Sequence, residues 1–298
     1  MNPPNKFSHD EFSQNKLKTA FVFSGGSSLG AMEVGMLKAL VEAGVKPDFV
    51  VGTSVGALNA TYFAFHPNLE GVMELEKIWL AIRSHQIFPV SAKNSVRGLL
   101  QKQNYLVDPK GLISLLEEML PTKELESAQI PVHVVATDVN TGEEIVFSEG
   151  NAIPILTASA AIPMIYPPVN IDHHELIDGG VVNNTPISTA VRLGAERIIV
   201  LPTGYTCDRR TTPKSLLEMA LTTFSYMVYK KMATDFDLFK NQVILRVIPT
   251  LCPLSVSSHD FSQSEELIQR AYIQTQDWLK QGSLEHEELP RIMQFHSH

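Results

Sequence analysis

The chain is poor in several things that other protein classes need. It has two cysteines in 298 residues. That is too few for a disulfide scaffold, and the usage suits a reducing compartment. Cations are outnumbered: 24 Lys and Arg face 32 Asp and Glu, a net charge of −8. A general nucleic-acid binder needs a basic face to neutralise phosphates, so that class is excluded. No run of 18 or more residues is both uncharged and strongly apolar, so no transmembrane helix is expected. The first 18 residues are polar, contain Pro3 and Pro4, and lack the apolar stretch of a secretory signal. What remains is a chain with 44% hydrophobic residues. It is long enough to bury a large core without disulfides or a structural metal. A cytoplasmic protein is expected, with at most transient contact at a membrane surface. Oligomeric state is not legible.

Short apolar runs alternate with helical patterns. The runs are 19–23, 48–51, 130–136, 197–201 and 242–248. They are apolar on both alternating faces, which suits strands covered on both sides. Helical patterns occupy 31–43, 54–65, 112–120, 185–193, 216–239 and 264–279, several of them closed by Gly or Pro. The alternation predicts an α/β fold, a mainly parallel sheet with helices on both faces. One domain is expected over 19–282, between a polar tail at 1–18 and a second tail at 283–298. Within it, 67–122 reads as a helical insertion, and 206–282 as C-terminal helices with one strand. Cys207 and Cys252 lie in loop-like contexts and read as free thiols.

Glycine is ordinary in number, 17, but seven of these lie between Gly25 and Gly56. Two strand–helix turns account for most of them. The first, Ser24-Gly25-Gly26-Ser27-Ser28-Leu29-Gly30, can aim backbone N–H groups outward at a helix start. It lacks the Gly-Lys-[Ser/Thr] ending of a phosphate-binding loop and the spacing of a dinucleotide loop. A plain tight turn uses the same glycines, so this loop alone decides nothing. The second, Gly52-Thr53-Ser54-Val55-Gly56, is a G-x-S-x-G elbow between an apolar strand and a helix. Side chains at its two glycines would crowd the neighbouring strand and helix, while the turn presents the Ser54 hydroxyl at the end of the sheet.

A serine nucleophile needs a base. His173 and His174 read as a solvated turn between two short strands. His259 and His286, the candidates in hydrolase order, do not follow a strand in a tight turn. Asp178 is better placed, after Leu176-Ile177 and before Gly179-Gly180. A partly buried Asp can accept a hydroxyl proton once burial adjusts its pKa. An ordinary turn aspartate would read the same on this segment alone.

Taken together and in order, these motifs resemble the patatin-like phospholipase family, serine acyl hydrolases with a Ser–Asp dyad. The resemblance rests on Phe23–Leu40, Gly52–Ala57 and Asp178-Gly179-Gly180, supported by Ala158–Pro168 and Asn183-Asn184-Thr185-Pro186. It implies a three-layer α/β/α fold and hydrolysis of fatty-acyl esters of the phospholipase A, lysophospholipase or carboxylesterase type. It implies Ser54 as nucleophile, Asp178 as base, and the N–H groups of Gly25, Gly26 and Ser27 as the oxyanion hole. Gly30, Gly52, Gly56, Gly179 and Gly180 would support the turns. The partner would be a lipid or other fatty-acyl ester, and neither cofactor nor metal is expected. Two positions depart from the family pattern: Leu29 stands where a basic residue is usual, and Ser27 where a third glycine is. Leu29 points to neutral rather than anionic esters. An acyltransferase using the same dyad, or a non-catalytic lipid-binding relative, would share these motifs. Candidate walls for an acyl chain are 87–90, 164–166 and 216–239, the last of which could instead meet a membrane interface.

Overall fold

The computed structural model describes residues 17–87, 105–120, 122–204, 216–252, 254, 256 and 259–285. Eight strands form one mixed sheet: β1 (Thr19–Phe23), β2 (Phe49–Thr53), β3 (Val132–Asp138), β4 (Glu144–Phe147), β5 (Val169–Ile171), β6 (His174–Asp178), β7 (Arg197–Leu201) and β8 (Ile244–Val247). The order is β5-β6-β3-β2-β1-β7-β8, with β4 also on β3. The pairs β3–β2, β2–β1, β1–β7 and β7–β8 are parallel, while β4, β5 and β6 pair antiparallel.

The helices are α1 (Ala31–Glu42), α2 (Val55–Phe65), α3 (Leu69–Ala81), α4 (Ser84–Ile87), α5 (Lys110–Met119), α6 (Ala152–Ser159), α7 (Gly180–Asn183), α8 (Ile187–Arg192), α9 (Leu216–Phe239) and α10 (Ser264–Lys280). The period-2 alternation of β1 shows why both faces need cover. Phe21 and Phe23 join the core built with α1, α2, α3 and α10. Ala20 and Val22 join a second core with Ile187 and Ala190 of α8 and Met232 and Phe236 of α9. A chain of parallel strands apolar on both faces thus yields helix, sheet and helix layers.

The five expected strands correspond to β1, β2, β3, β7 and β8, and the polar turn at His173 joins β5 to β6. β4 and α6 carried no sequence expectation. β4 is half-buried throughout, so it lacks an apolar run. α6 contains Pro154, tolerated because it falls in the first turn. One expectation is corrected: Cys252 is disulfide-bonded rather than free. A pairing depends on which loops meet in space, and loop-like surroundings say nothing of that. Cys207, the chain's other cysteine, lies outside the described residues, as do His286, residues 88–90 and most of both expected tails.

Candidate active site

The site lies where strand ends converge. Along β3, Val135 faces Thr53 at the end of β2, and the next residue, Ala136, faces Asp178 at the end of β6. The register therefore brings the residue after Thr53 beside Asp178, although 124 residues separate them in sequence. Ser54 Oγ donates a hydrogen bond to Asp178 Oδ2 at 2.7 Å, with both residues buried.

Ser54 sits at φ 55°, ψ −129°, a conformation that costs L residues on the order of 1–3 kcal/mol. The surroundings hold it there. Its N–H donates to Ser159 Oγ at 2.9 Å, and Ser159 donates onward to Val135 O at 2.6 Å. Thr53 Oγ1 donates to Asn183 O at 2.8 Å. The elbow's glycines are required sterically. A Cβ at Gly52 would lie 2.5 Å from Gly56 O, and one at Gly56 would lie 2.6 Å from the Phe23 carbonyl carbon. The hydroxyl stands at the N-terminus of α2, where the helix dipole favours negative charge.

Asp178 is held at both oxygens. Oδ1 accepts from the Gly180 N–H at 2.7 Å, and Oδ2 from Ser54. Thr137 Oγ1 donates to the Asp178 carbonyl at 2.9 Å. Burial is the largest influence on the carboxyl and pushes its pKa up to about 6, against the lowering effect of the two hydrogen bonds. A carboxylate titrating there is ionised at neutral pH yet basic enough to take a proton. Among the described residues no histidine meets this pair. His174 Nδ1 pairs instead with Asp138 Oδ2 at 2.6 Å, and His133 Nδ1 with Ser148 Oγ.

The first glycine turn runs beside Ser54. Here one expected donor is corrected. The Gly25 N–H already donates to Asn184 O at 3.0 Å, so it is not open to an oxyanion. The N–H groups of Gly26 and Ser27 have no such partner among the described residues. Ser27 takes φ 53°, the left-handed region that favours glycine, and its side chain lines the pocket at Ser54. Gly30 packs against Val55, where a Cβ would come within 2.7 Å. Leu29 is half-buried and packs against the core, so no cation stands at that position.

An apolar pocket opens on Ser54. Its walls come from Leu58 one turn along α2, from Trp79, Ile82 and Ile87, from Leu112, Leu115 and Met119 of α5, and from Ile162, Tyr166 and Phe261. Trp79 stacks on Phe261 at 5.9 Å, and Tyr166 Oη donates to Ile87 O. Of the expected walls, Ile87 and Tyr166 take part, 88–90 fall outside the described residues, and none of the described side chains of α9 is among them. Met219, Tyr226 and Met227 of α9 are exposed instead.

Residues 21–191 match the patatin-like phospholipase family. The chain belongs to that family. It is 26% identical over 209 residues to patatin-like phospholipase domain-containing protein 7 of Rattus norvegicus, a match covering 68% of this chain and 15% of that protein. With neuropathy target esterase sws of Drosophila melanogaster it shares 27% identity over 199 residues, 64% of this chain and 13% of the relative. The match therefore spans under a sixth of these relatives' lengths. Human GIVD cytosolic phospholipase A2 has the same fold, with a TM-score of 0.53 at 12% identity, over 90% of this chain and 60% of that one.

Several residues of this patatin-like site carried no sequence expectation as site residues. Glu33, fully buried, accepts from the Ser24 N–H at 2.7 Å and from Asn59 Nδ2 at 2.8 Å; burial holds its carboxyl well above the usual carboxylate range. Asn59 also donates to Gly30 O and accepts from Trp79 Nε1. Ser159 and Asn184 brace the elbow and the glycine loop. Each is a single polar residue at no spacing that a motif rule covers.

Proposed function

We propose that the protein is a lipid acyl hydrolase that cleaves fatty-acyl esters through a Ser54 acyl-enzyme, with Asp178 as the base. The observation that carries this reading is the 2.7 Å hydrogen bond from Ser54 Oγ to a buried carboxylate, at the end of an apolar pocket. The family and the names of its relatives support ester substrates of lipid type.

The chemistry follows from the geometry. Asp178 Oδ2 takes the Ser54 proton as Oγ attacks the ester carbonyl carbon. Negative charge develops on the carbonyl oxygen beside the open N–H groups of Gly26 and Ser27 and the N-terminus of α2. Each such donor contributes roughly 2.7–4 kcal/mol of transition-state stabilisation. Asp178 returns the proton to the leaving alcohol. Water then attacks the acyl-enzyme, Asp178 takes its proton, and the fatty acid leaves. The acyl chain lies along Leu58, Trp79 and Met119, where water is excluded. Leu29, packed on the core without charge, favours neutral over anionic esters.

A panel of p-nitrophenyl and glycerolipid esters tests the proposal. Wild type should release free fatty acid, and both Ser54→Ala and Asp178→Asn should lose activity by about 10³-fold or more. Wild-type rates in either variant would remove that residue from the mechanism.

A further inference from the structure

Asn184 follows directly on α7, and its side chain is half-buried. Its Nδ2 donates to Gly25 O at 3.0 Å. Only the NH₂ end of an amide can meet a carbonyl oxygen, so this contact fixes the side chain's orientation. Two glycines show what lies near Oδ1. A Cβ built on Gly25 would lie 2.4 Å from Asn184 Oδ1 and 3.1 Å from Ser54 Cβ. One built on Gly180 would lie 2.7 Å from the same Oδ1 and 2.9 Å from Asp178 Oδ1. Asn184 Oδ1 thus lies against both glycines, in the neighbourhood of Ser54 and of the Asp178 carboxylate. Among the described residues it accepts no hydrogen bond.

Holding the glycine loop does not account for this oxygen. Gly25 O also accepts from Thr203 Oγ1 at 2.6 Å. The Gly25 N–H is held by the backbone carbonyl of residue 184, which any side chain would leave in place.

We infer that Asn184 Oδ1 holds the water that hydrolyses the acyl-enzyme. The inference rests on the Ser54–Asp178 reading above. Water brings two O–H groups to this neighbourhood. As its oxygen bonds to the acyl carbonyl carbon, one proton passes to Asp178 Oδ2. The second O–H donates to Asn184 Oδ1 and fixes the direction of the attacking lone pair. The tetrahedral intermediate collapses, the carbon–Oγ bond breaks, and Asp178 returns its proton to Ser54 Oγ as the carboxylic acid leaves. An alcohol has a single O–H, which Asp178 must take, so its carbon is what meets Asn184 Oδ1. The residue therefore selects water over alcohols as second nucleophile and sets the balance between hydrolysis and acyl transfer.

The test uses p-nitrophenyl butyrate with methanol added to the buffer, and measures the ratio of methyl butyrate to butyrate formed. Both products come from one acyl-enzyme, so the ratio does not depend on how much of a sample is active. In Asn184→Ala the ratio should rise about three- to tenfold, the scale of one lost hydrogen bond. Thr203→Val loosens the same loop and should keep the wild-type ratio. Should Asn184→Ala fail to fold, Asn184→Ser is the second variant, with the same expectation. An unchanged ratio at position 184, or an equal rise in Thr203→Val, overturns the inference. Hydrolysis surviving in Ser54→Ala would instead remove the acyl-enzyme on which it rests, an outcome the product ratio cannot imitate.

Discussion

Asp178 shows what one buried carboxylate costs and supplies. An unfolded aspartate titrates near 3.9, and the folded one at about 6. Between those values the folded state binds the extra proton, so stability falls as pH rises through the interval and levels off above it. In the proposed reaction the same shift makes the carboxylate a base near neutrality, at the expense of stability. Asp178→Asn removes the titration. Its stability relative to wild type should therefore grow by about 2–3 kcal/mol between pH 4 and pH 8. Urea denaturation at the two pH values measures this, and an equal difference at both would contradict the burial argument. At this scale the hydrogen-bonded pair Ser54 and Asp178 stood out in the sequence because glycines stand on both sides of the one and directly after the other. That the Gly25 N–H is already used by Asn184 was not legible, because the two residues are 159 positions apart.

At the scale of elements, the site depends on four pieces held in register by one polar cluster. Glu33 of α1 takes the N–H of Ser24 at the end of β1; Asn59 of α2 holds Glu33 and the Gly30 carbonyl; Trp79 of α3 closes on Asn59. Asn59→Leu would leave a buried carboxylate short of a partner and orphan the Trp79 N–H. It should destabilise the fold by about 3 kcal/mol or more, read as a lowered denaturation midpoint. A change under about 0.5 kcal/mol, the usual size for an inert surface site, would deny the cluster that role. Strands β1, β2 and β7 were readable as apolar runs because both their faces are covered. β4 was not, since its burial is only partial and its first residue, Glu144, turns to Asn183 and Arg192.

At the scale of the molecule, the helical stretch between β2 and β3 is part of the site. It supplies Trp79, Ile82, Ile87, Leu112, Leu115 and Met119 to the pocket. Its helical character and the part of Ile87 were legible, whereas the contribution of Leu112, Leu115 and Met119 appears only when α5 packs against α4 and α6. Leu58→Trp fills the space one turn from Ser54. It should lower kcat/KM for long-chain esters about tenfold or more while sparing acetate esters. A uniform loss across chain lengths would place the acyl chain elsewhere. Among the described residues no helix is long and apolar enough to cross a membrane.

A Ser54 nucleophile driven by Asp178 should react with a fluorophosphonate. Intact mass should show one phosphonyl group per chain, mapped to the Ser54 peptide. The labelling rate should rise with pH through about 6, as the buried carboxylate loses its proton. Ser54→Ala should take no label, and Asp178→Asn should label far more slowly at every pH. Undiminished labelling of Ser54→Ala would show that Ser54 is not the nucleophile, and a rate in Asp178→Asn equal to that of wild type would show that Asp178 does not activate it.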